Sequence, residues 1–422
     1  MLKANRKAMT IWFFAFIGII MLVNFTYRDT YLRLYWMVIF IFVTWCLMCI
    51  QKRIINTLVV FSIFYFILFA FGPMLLYKQG LDYYKSVGDY IIISYLFFVV
   101  GYCFSGRKTL KLKLFSIFQP SNNYNTIYVI SIVVFLIGMI SYCIYFVNNW
   151  HNIFVADFNS GRVDAMKGNG IFLWLGSLVW LSVYMVYEQL LINGHYKKST
   201  YSMFIIAAFF SILLGFRSAL VNPILVMFFM KNKKEEIPLK RMGILAVALM
   251  IFVGVYGAVR SNDSSTVDSL LNEFKVSSVN LNYIFEYFPN KVNFQMGKTY
   301  LLDFVRLVDD NVEGTTSWLK KVIGLHFSGG GITPTLIGEF YINFGFIGVL
   351  IGMLLSGSVF KRIELSYRKQ SNSLFLCCLF LGYIRPIIRG GWANSIVNLL
   401  FYIIGYCGCQ FVARKLKIRF VL

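Results

Sequence analysis

Charge is scarce in this sequence. Only 14% of its 422 residues are charged, whereas 59% are hydrophobic and 18% are aromatic. Soluble domains carry about 25% charged residues, because their surfaces face water. This composition excludes a soluble domain. It indicates an all-α polytopic integral membrane protein, since many apolar runs are long enough to cross a bilayer as helices.

Motifs for nucleotide and cofactor chemistry are also missing. The chain contains no P-loop, no dinucleotide-binding fingerprint and no nucleophile elbow. It has neither an internal repeat nor a low-complexity tract. We therefore predict no cofactor.

The cysteines give no sign of a disulfide framework. They lie inside apolar stretches, without a companion His or Cys in a loop that could complete a metal site. Such cysteines behave as small apolar residues that face lipid or the core. The eight are Cys46, Cys49, Cys103, Cys143, Cys377, Cys378, Cys407 and Cys409.

Acidic residues are few compared with basic ones. The chain has 18 Asp and Glu against 40 Lys and Arg, which gives a formal charge of +22. The basic residues fall between the apolar stretches, as the positive-inside rule requires, so we expect the lipid bilayer and not a nucleic acid as the partner. The N-terminal run lacks a small-residue cleavage site, and we predict a retained first helix.

The apolar segments set the predicted topology. The stretch 201–230 would be about 45 Å long as one helix, too long for a hydrocarbon core of about 30 Å. A hairpin turning at 215–217 keeps Lys and Arg on the inside, whereas a single helix would abolish this bias. We predict about twelve transmembrane helices with both termini cytoplasmic. The other segments are 8–27, 31–50, 54–77, 88–106, 125–147, 171–192, 242–259, 334–356, 373–388 and 393–412.

Two extracytoplasmic loops follow from this topology, within a single transmembrane domain of residues 1–422. The smaller is 148–170, which contains His151. The larger is 260–333, whose apolar residues are spaced as on helices. We expect two or three amphipathic helices there, lying on the membrane surface or capping the bundle.

A glycine turn leads into the helix predicted at 334–356. Gly329, Gly330 and Gly331 lack a Cβ, so their backbone can bend sharply and approach a ligand. Thr333 has the character of an N-cap and Pro334 that of a first helical residue. Behind them, the spacing of Gly345, Gly348, Gly352 and Ser356 predicts a close helix contact.

Glu339 lies near the start of this helix, where a carboxylate in a membrane is costly. It is a candidate general base, or the partner that fixes an arginine. His326, just before the glycine turn, is a second candidate base.

Arginines on the predicted outer side are candidates for binding an anion. An arginine at membrane depth pairs with a carboxylate or holds an anion such as a phosphate, whose oxygens match its planar fork. Snorkelling to the interface and structural pairing with Glu339 remain the alternatives. The candidates are Arg217, Arg260, Arg306, Arg385 and Arg389.

One acidic cluster is a candidate metal site. Asp309, Asp310 and Glu313 lie close together in the large outer loop. The same residues describe an ordinary polar turn, which we favour. We therefore predict no metal site.

The stretch from Gly329 to Gly357, GGGITPTLIGEFYINFGFIGVLIGMLLSG, resembles the Wzy family of bacterial oligosaccharide repeat-unit polymerases. That family shows a glycine-to-helix entry, an acidic residue and Asn–Phe–Gly before a glycine-spaced helix. The hairpin tip GFRSAL around Arg217 also resembles the family. The arginine-to-glycine loop spacing of some members has no clear copy, because Arg306 and Gly314 lie closer together in sequence.

The resemblance implies a membrane glycosyltransferase that makes O-antigen or capsular polysaccharide. It would transfer a glycan from polyprenyl diphosphate onto a new lipid-linked repeat unit, without a metal, at the outer face of the bacterial cytoplasmic membrane. Chain-length regulator and flippase proteins are the expected protein partners. Glu339, Arg217 and His326 would be catalytic. The diphosphate and glycan would be bound by Arg260, Arg306, Arg385, Arg389, Gly329, Gly330 and Gly331.

Two other functions remain open at this stage. An O-antigen ligase would share these features and differ only in its acceptor. A flippase or transporter would be expected to have repeated halves, broken helices in matching positions and charges near the membrane midplane. Here the polar residues cluster at one rim, and the two halves differ.

Overall fold

The computed structural model of the protein describes residues 57–72, 85–105, 124–153, 169–235 except 216, 266–306, 312–326, 331–369 and 374–416, with isolated positions between. All regular elements in these ranges are helices. They are α1 (Thr57–Phe66, continued by a π-helical turn Ile67–Phe71), α2 (Lys85–Phe104), α3 (Tyr124–Asn148), α4 (Trp150–Ile153), α5 (Gly170–Gly176), α6 (Leu178–Asn193), α7 (Lys197–Leu213), α8 (Arg217–Lys234), α9 (Thr266–Tyr287), α10 (Thr299–Val305), α11 (Thr315–Ile323), α12 (Leu336–Lys369), α13 (Leu374–Gly382), α14 (Ile384–Gly390) and α15 (Trp392–Lys415).

Five stretches among the described residues are long and apolar enough to cross a membrane. The all-helical, multi-pass character predicted from the sequence is therefore confirmed. The segments predicted at 8–27 and 31–50 lie outside the described residues, and twelve helices with cytoplasmic termini stay a prediction. The five stretches are Val87–Phe104, Tyr124–Asn148, Gly170–Asn193, Leu336–Tyr367 and Trp392–Lys415.

The stretch 201–230 is divided between two helices, as predicted. Helix α7 ends at Leu213 and α8 begins at Arg217. Between them Gly215 has a positive φ of 75°, a conformation that glycine adopts without the steric cost of a Cβ. The predicted hairpin turn is confirmed at the backbone level.

The bundle is held together by a close contact between α2 and α12. A methyl group placed on Gly101 would lie 1.9 Å from the carbonyl oxygen of Leu354, and one on Gly357 would lie 2.0 Å from that of Phe98. Only glycine lets the two backbones approach this closely. The contact thus uses Gly101 and Gly357 and not the predicted small-residue series.

Two glycines of the predicted series, Gly348 and Gly352, contact their own helix instead. Methyl groups placed on Gly348 and Gly352 would overlap the side chains of Phe344 and Phe340, respectively. A straight helix keeps residues twelve apart about 18 Å from each other. Helix α12 therefore cannot be straight.

A break at Gly345 divides α12. This residue has φ 63° and ψ −154°, which are not helical values, so the prediction of one continuous helix was wrong. Thirty-four residues in one straight helix would span about 51 Å, well beyond a hydrocarbon core. The short part before the break instead folds against the longer part after it.

A buried carboxylate fixes the start of α13. Oε1 of Glu188 accepts the backbone N–H of Phe375 at 3.0 Å, and its Oε2 accepts the hydroxyl of Tyr406 at 2.8 Å. Negative charge is favourable at a helix N-terminus, because the first N–H groups have no partner inside the helix. This contact joins α6, α13 and α15.

The described part of the segment 260–333, predicted to be the larger outer loop, contains the helices α9, α10 and α11, where two or three were predicted. Helix α9 caps the bundle: Leu281 and Ile284 are fully buried, and Ser278 donates to the carbonyl oxygen of Leu68 at 3.2 Å. Of the smaller predicted loop, 148–170, the structure describes only the ends, where His151 is exposed.

Candidate functional site

Glu339 binds the start of the last helix. Its Oε2 accepts the backbone N–H of Trp392 at 2.6 Å, and its Oε1 accepts that of Ala393 at 2.9 Å. The carboxylate lies so close to Gly391 that a methyl group there would be 2.6 Å from the Cδ of Glu339. Gly391 has φ 85°, and its missing Cβ makes room for the carboxylate. Glu339 thus acts as an N-cap supplied by another helix.

The entry to α12 differs from the prediction at its cap. The helix begins at Leu336, and Oγ1 of Thr335 accepts the N–H of Gly338 at 3.1 Å, so Thr335 is the N-cap. Thr333 was the wrong choice because its oxygens accept hydrogen bonds from the side-chain amide of Asn280. Thr333 therefore ties this entry to α9.

Asn343 connects the broken helix α12 to Gly297 and Thr299, at the start of α10. Its Nδ2 donates to Oγ1 of Thr299 at 2.5 Å and to the carbonyl oxygen of Glu339 at 2.8 Å. Its Oδ1 accepts the backbone N–H of Gly297 at 2.9 Å. Asn343 is fully buried, so these bonds have little competition from water.

The helix break is also closed through the backbone. The carbonyl oxygens of Ile342 and Asn343 accept the N–H groups of Gln295 and Met296, at 2.9 and 3.0 Å. A break in a membrane helix leaves carbonyls without helical partners, and burial makes such groups costly. The turn before α10 satisfies two of them.

Helix α10 therefore carries Tyr300 and Asp303 to the start of α12. Burial raises the pKa of the Tyr300 hydroxyl, and the negative charge of Glu339 raises it further. A hydrogen bond with the side chain of Asn343 lowers the same pKa by a smaller amount. Asp303 also lies close enough to Glu339 for the two carboxylates to repel each other.

Asp303 and Arg306 meet at Gly314. Oδ1 of Asp303 accepts the backbone N–H of Thr315 at 3.0 Å. A methyl group on Gly314 would lie 2.8 Å from this oxygen and 3.0 Å from Nη1 of Arg306. The arginine and the glycine that lie close in sequence are therefore also in contact in space, with the exposed guanidinium against the glycine backbone.

A comparison with protein families identifies the family of the chain. A family model described as O-antigen polysaccharide polymerase Wzy matches residues 8–417, nearly the whole chain. The chain belongs to the Wzy family. No match to the chain was found among the curated proteins, and none among the solved structures.

Family membership confirms several predictions made from the sequence. This Wzy-family protein is a membrane polymerase of the glycosyltransferase type, which acts on lipid-linked oligosaccharide repeat units. The ligase and transporter alternatives are not favoured. The roles of individual residues do not follow from the match.

The structure brings several predicted residues of this Wzy-family chain together. Glu339 touches the turn at Gly391, two residues after Arg389. Arg385 and Arg389 lie on α14, a short helix, and both side chains are partly exposed. Arg306 lies beside Asp303, where both side chains approach Gly314.

Gly331 is part of the same arrangement, but its open side is filled by the chain itself. A methyl group there would lie 2.2 Å from the carbonyl oxygen of Thr316, which also accepts the N–H of Ile332 at 3.0 Å. The close approach predicted for the glycine turn is thus made here by protein backbone. Gly329 and Gly330 lie outside the described residues.

The other predicted residues of the Wzy-family site are less constrained. Arg217 begins α8, and Gly382 packs against Val226, about 13 Å further along that helix. The N-terminus of α8 therefore lies at the same end of the bundle as the start of α14. His326 is exposed after α11, and Arg260 lies outside the described residues.

The acidic cluster of the outer loop does not form a group of ligands among the described residues. No set of three or more His, Cys, Asp or Glu able to hold a metal is present there. Asp309 is exposed, and Glu313 pairs with Lys321 at 3.5 Å. Asp310 lies outside the described part of the chain. The six described cysteines are free thiols.

Sequence reasoning missed Asp303. It lies among Leu301, Leu302, Phe304 and Val305, which we had assigned to an amphipathic helix without considering the one acidic residue between them. A carboxylate surrounded by apolar residues in a short helix was a usable signal. Asn343 was noticed only as part of a family pattern, and its contacts depend on the helix break.

Proposed function

We propose that this Wzy-family polymerase joins repeat units at the outer face of the bacterial cytoplasmic membrane, at the site between α10, α12 and the turn at Gly391. The observation that carries the proposal is the contact of Glu339 with Trp392 and Ala393. Through this contact the turn that follows Arg389 lies against the start of α12, and Asp303 lies near the same carboxylate.

The reaction requires stabilisation of a diphosphate leaving group. The glycan is attached through its anomeric carbon to polyprenyl diphosphate, and negative charge grows on the diphosphate oxygen as that bond breaks. Guanidinium groups match phosphate oxygens in charge and geometry and stabilise such charge in a low-dielectric site. Arg306, Arg385 and Arg389 are the proposed ligands of the diphosphate, with Arg217 at the same end of the bundle.

Glu339 is better suited to positioning than to proton transfer. Both of its oxygens are engaged by backbone N–H groups, and the residue is 1% exposed. A general base must reach the proton that it removes. Of the two roles left open by the sequence, the geometry favours that of a structural partner, with the start of α15 as the group held.

The proposed transfer is independent of a metal, because the arginines supply the positive charge that a divalent ion would otherwise provide. The proposed topology has both termini in the cytoplasm, and it rests on the distribution of Lys and Arg. It places α9, α10 and α11 outside, where a lipid-linked repeat unit would be met.

The proposal is tested by complementation of a polymerase-deficient strain, read as glycan ladder length at matched membrane levels of protein. Wild type should restore long chains. Arg306→Ala, Arg389→Ala and Arg217→Ala should give single repeats or short chains. Arg362→Ala, an exposed arginine near the other end of α12, should behave as wild type.

Two results would count against the proposal. A wild type that moves lipid-linked units across the membrane without lengthening chains would indicate a transporter. Full-length ladders from the three outer-arginine variants, equal to those of Arg362→Ala, would exclude these arginines as ligands of the diphosphate.

A further inference from the structure

One carboxylate oxygen of Asp303 has no hydrogen-bond partner among the described residues. Oδ1 is held by the backbone N–H of Thr315 at 3.0 Å, whereas Oδ2 is buried and receives no hydrogen bond. A buried acceptor left without a donor costs about 1–3 kcal/mol. This oxygen is therefore in a position where a bound donor would be favourable.

The surroundings of Asp303 indicate what that donor is. Arg306, a proposed ligand of the diphosphate, lies on the same glycine as Asp303. Glu339 lies near enough for the charge of Asp303 to act on it. An anionic ligand atom is disfavoured beside two carboxylates, whereas a neutral hydroxyl can donate a hydrogen bond to one of them.

We propose that Asp303 is the catalytic residue that binds the acceptor sugar hydroxyl and takes its proton. This inference rests on the proposed function and adds the group that activates the acceptor. Asp303 has one fixed oxygen, which orients the carboxylate, and a second, buried oxygen to which none of the described residues donates. Glu339 lacks such an oxygen, because both of its oxygens are engaged, and His326 is exposed.

The step balances as follows. The hydroxyl oxygen of the new lipid-linked repeat unit forms a bond to the anomeric carbon of the growing glycan. The bond from that carbon to the diphosphate oxygen breaks, and its electron pair leaves with the polyprenyl diphosphate. The hydroxyl proton passes to Oδ2 of Asp303, which later releases it to water.

The test uses purified full-length enzyme with lipid-linked repeat units, and compares Asp303→Asn, Asp303→Glu and Glu286→Gln. Asparagine keeps an oxygen for the N–H of Thr315 but removes the basic group. Glu286 is an exposed carboxylate on α9 that pairs with Lys291 and serves as the control. Rates are measured per mole of folded protein, so that a lower yield of a variant does not enter the comparison.

Loss of a general base lowers a rate about 10²–10⁴-fold. We expect a loss of this size in kcat for Asp303→Asn, with little change in KM for the lipid-linked unit, and a smaller loss for Asp303→Glu. Glu286→Gln should match wild type. Retention of kcat within about threefold by Asp303→Asn, or a loss confined to KM, overturns the assignment.

The same experiment separates this inference from the proposed function. A wild type that does not lengthen glycans defeats both. A wild type that polymerises, together with an equally active Asp303→Asn, defeats only the role of Asp303.

Discussion

Gly297 donates its backbone N–H to Oδ1 of Asn343 at 2.9 Å, and this bond connects the turn before α10 to the broken helix α12. The same side chain donates to Thr299, at the start of α10. Asn343 therefore determines where α10 lies. Through α10 it also positions Asp303 and Arg306 relative to Glu339.

Asn343→Ala should release this segment. The substitution removes the partners of the half-buried N–H of Gly297 and of the buried hydroxyl of Thr299, at up to about 1–3 kcal/mol for each. We expect a lower melting temperature in detergent and shorter glycans. The control is Asn398→Ala, which removes an exposed amide on α15. Equal melting temperatures for the two variants would contradict the role of Asn343.

Glu339→Gln should loosen the start of α15. Glutamine has one acceptor oxygen in place of two, so either Trp392 or Ala393 loses its acceptor, at about 1–3 kcal/mol. The amide hydrogens of a peptide spanning these residues should exchange faster in hydrogen-exchange mass spectrometry. The exposed Glu286→Gln should leave that exchange unchanged. Wild-type protection in Glu339→Gln would show that the carboxylate is not needed as a cap.

Gly314→Ala and Gly331→Ala should have different effects. At Gly314 the added methyl meets the side chains of Asp303 and Arg306, which can shift, so we expect reduced polymerisation with a nearly normal melting temperature. At Gly331 it meets the backbone of Thr316, which cannot shift easily, so we expect a lower melting temperature as well. Melting curves and glycan ladders of both variants provide the measurement. Equal melting temperatures for Gly314→Ala and Gly331→Ala would refute this distinction.

Gly101→Ala should separate α2 from α12. The new Cβ would overlap the carbonyl of Leu354 at 1.9 Å, and overpacking costs about 1–3 kcal/mol. Gly408→Ala is the matched control, because nothing lies within 4 Å of its added methyl on α15. The measurement is the melting temperature of both purified variants. A fall for Gly408→Ala equal to that for Gly101→Ala would disprove the contact.

Local pattern was enough to predict some of the fold. Helix length against bilayer thickness, with the distribution of Lys and Arg, predicted the turn between Leu213 and Arg217. Helical spacing of apolar residues predicted the helices of the outer segment. These features depend on residues that are neighbours in the sequence, so a single sequence is enough to predict them.

The other features depend on residues far apart in the chain. The sequence predicts a packing role for Gly345, because a positive φ at one residue leaves no trace in apolar periodicity. Thr333 was preferred to Thr335 as the cap, since nothing local shows that Asn280 binds its oxygens. The roles of Glu339 and Asp303 depend on Trp392 and Thr315, and such pairings cannot be read from spacing.

The cap that Glu339 places on α15 has a consequence for the order in which the protein is made. Synthesis runs from the N-terminus, so α10 and α12 are synthesised before Trp392. Until α15 is inserted, the carboxylate of Glu339 has neither of these two backbone donors, and the turn after Arg389 has no fixed place beside it. Assembly of this region is therefore completed only when α15 enters the bundle.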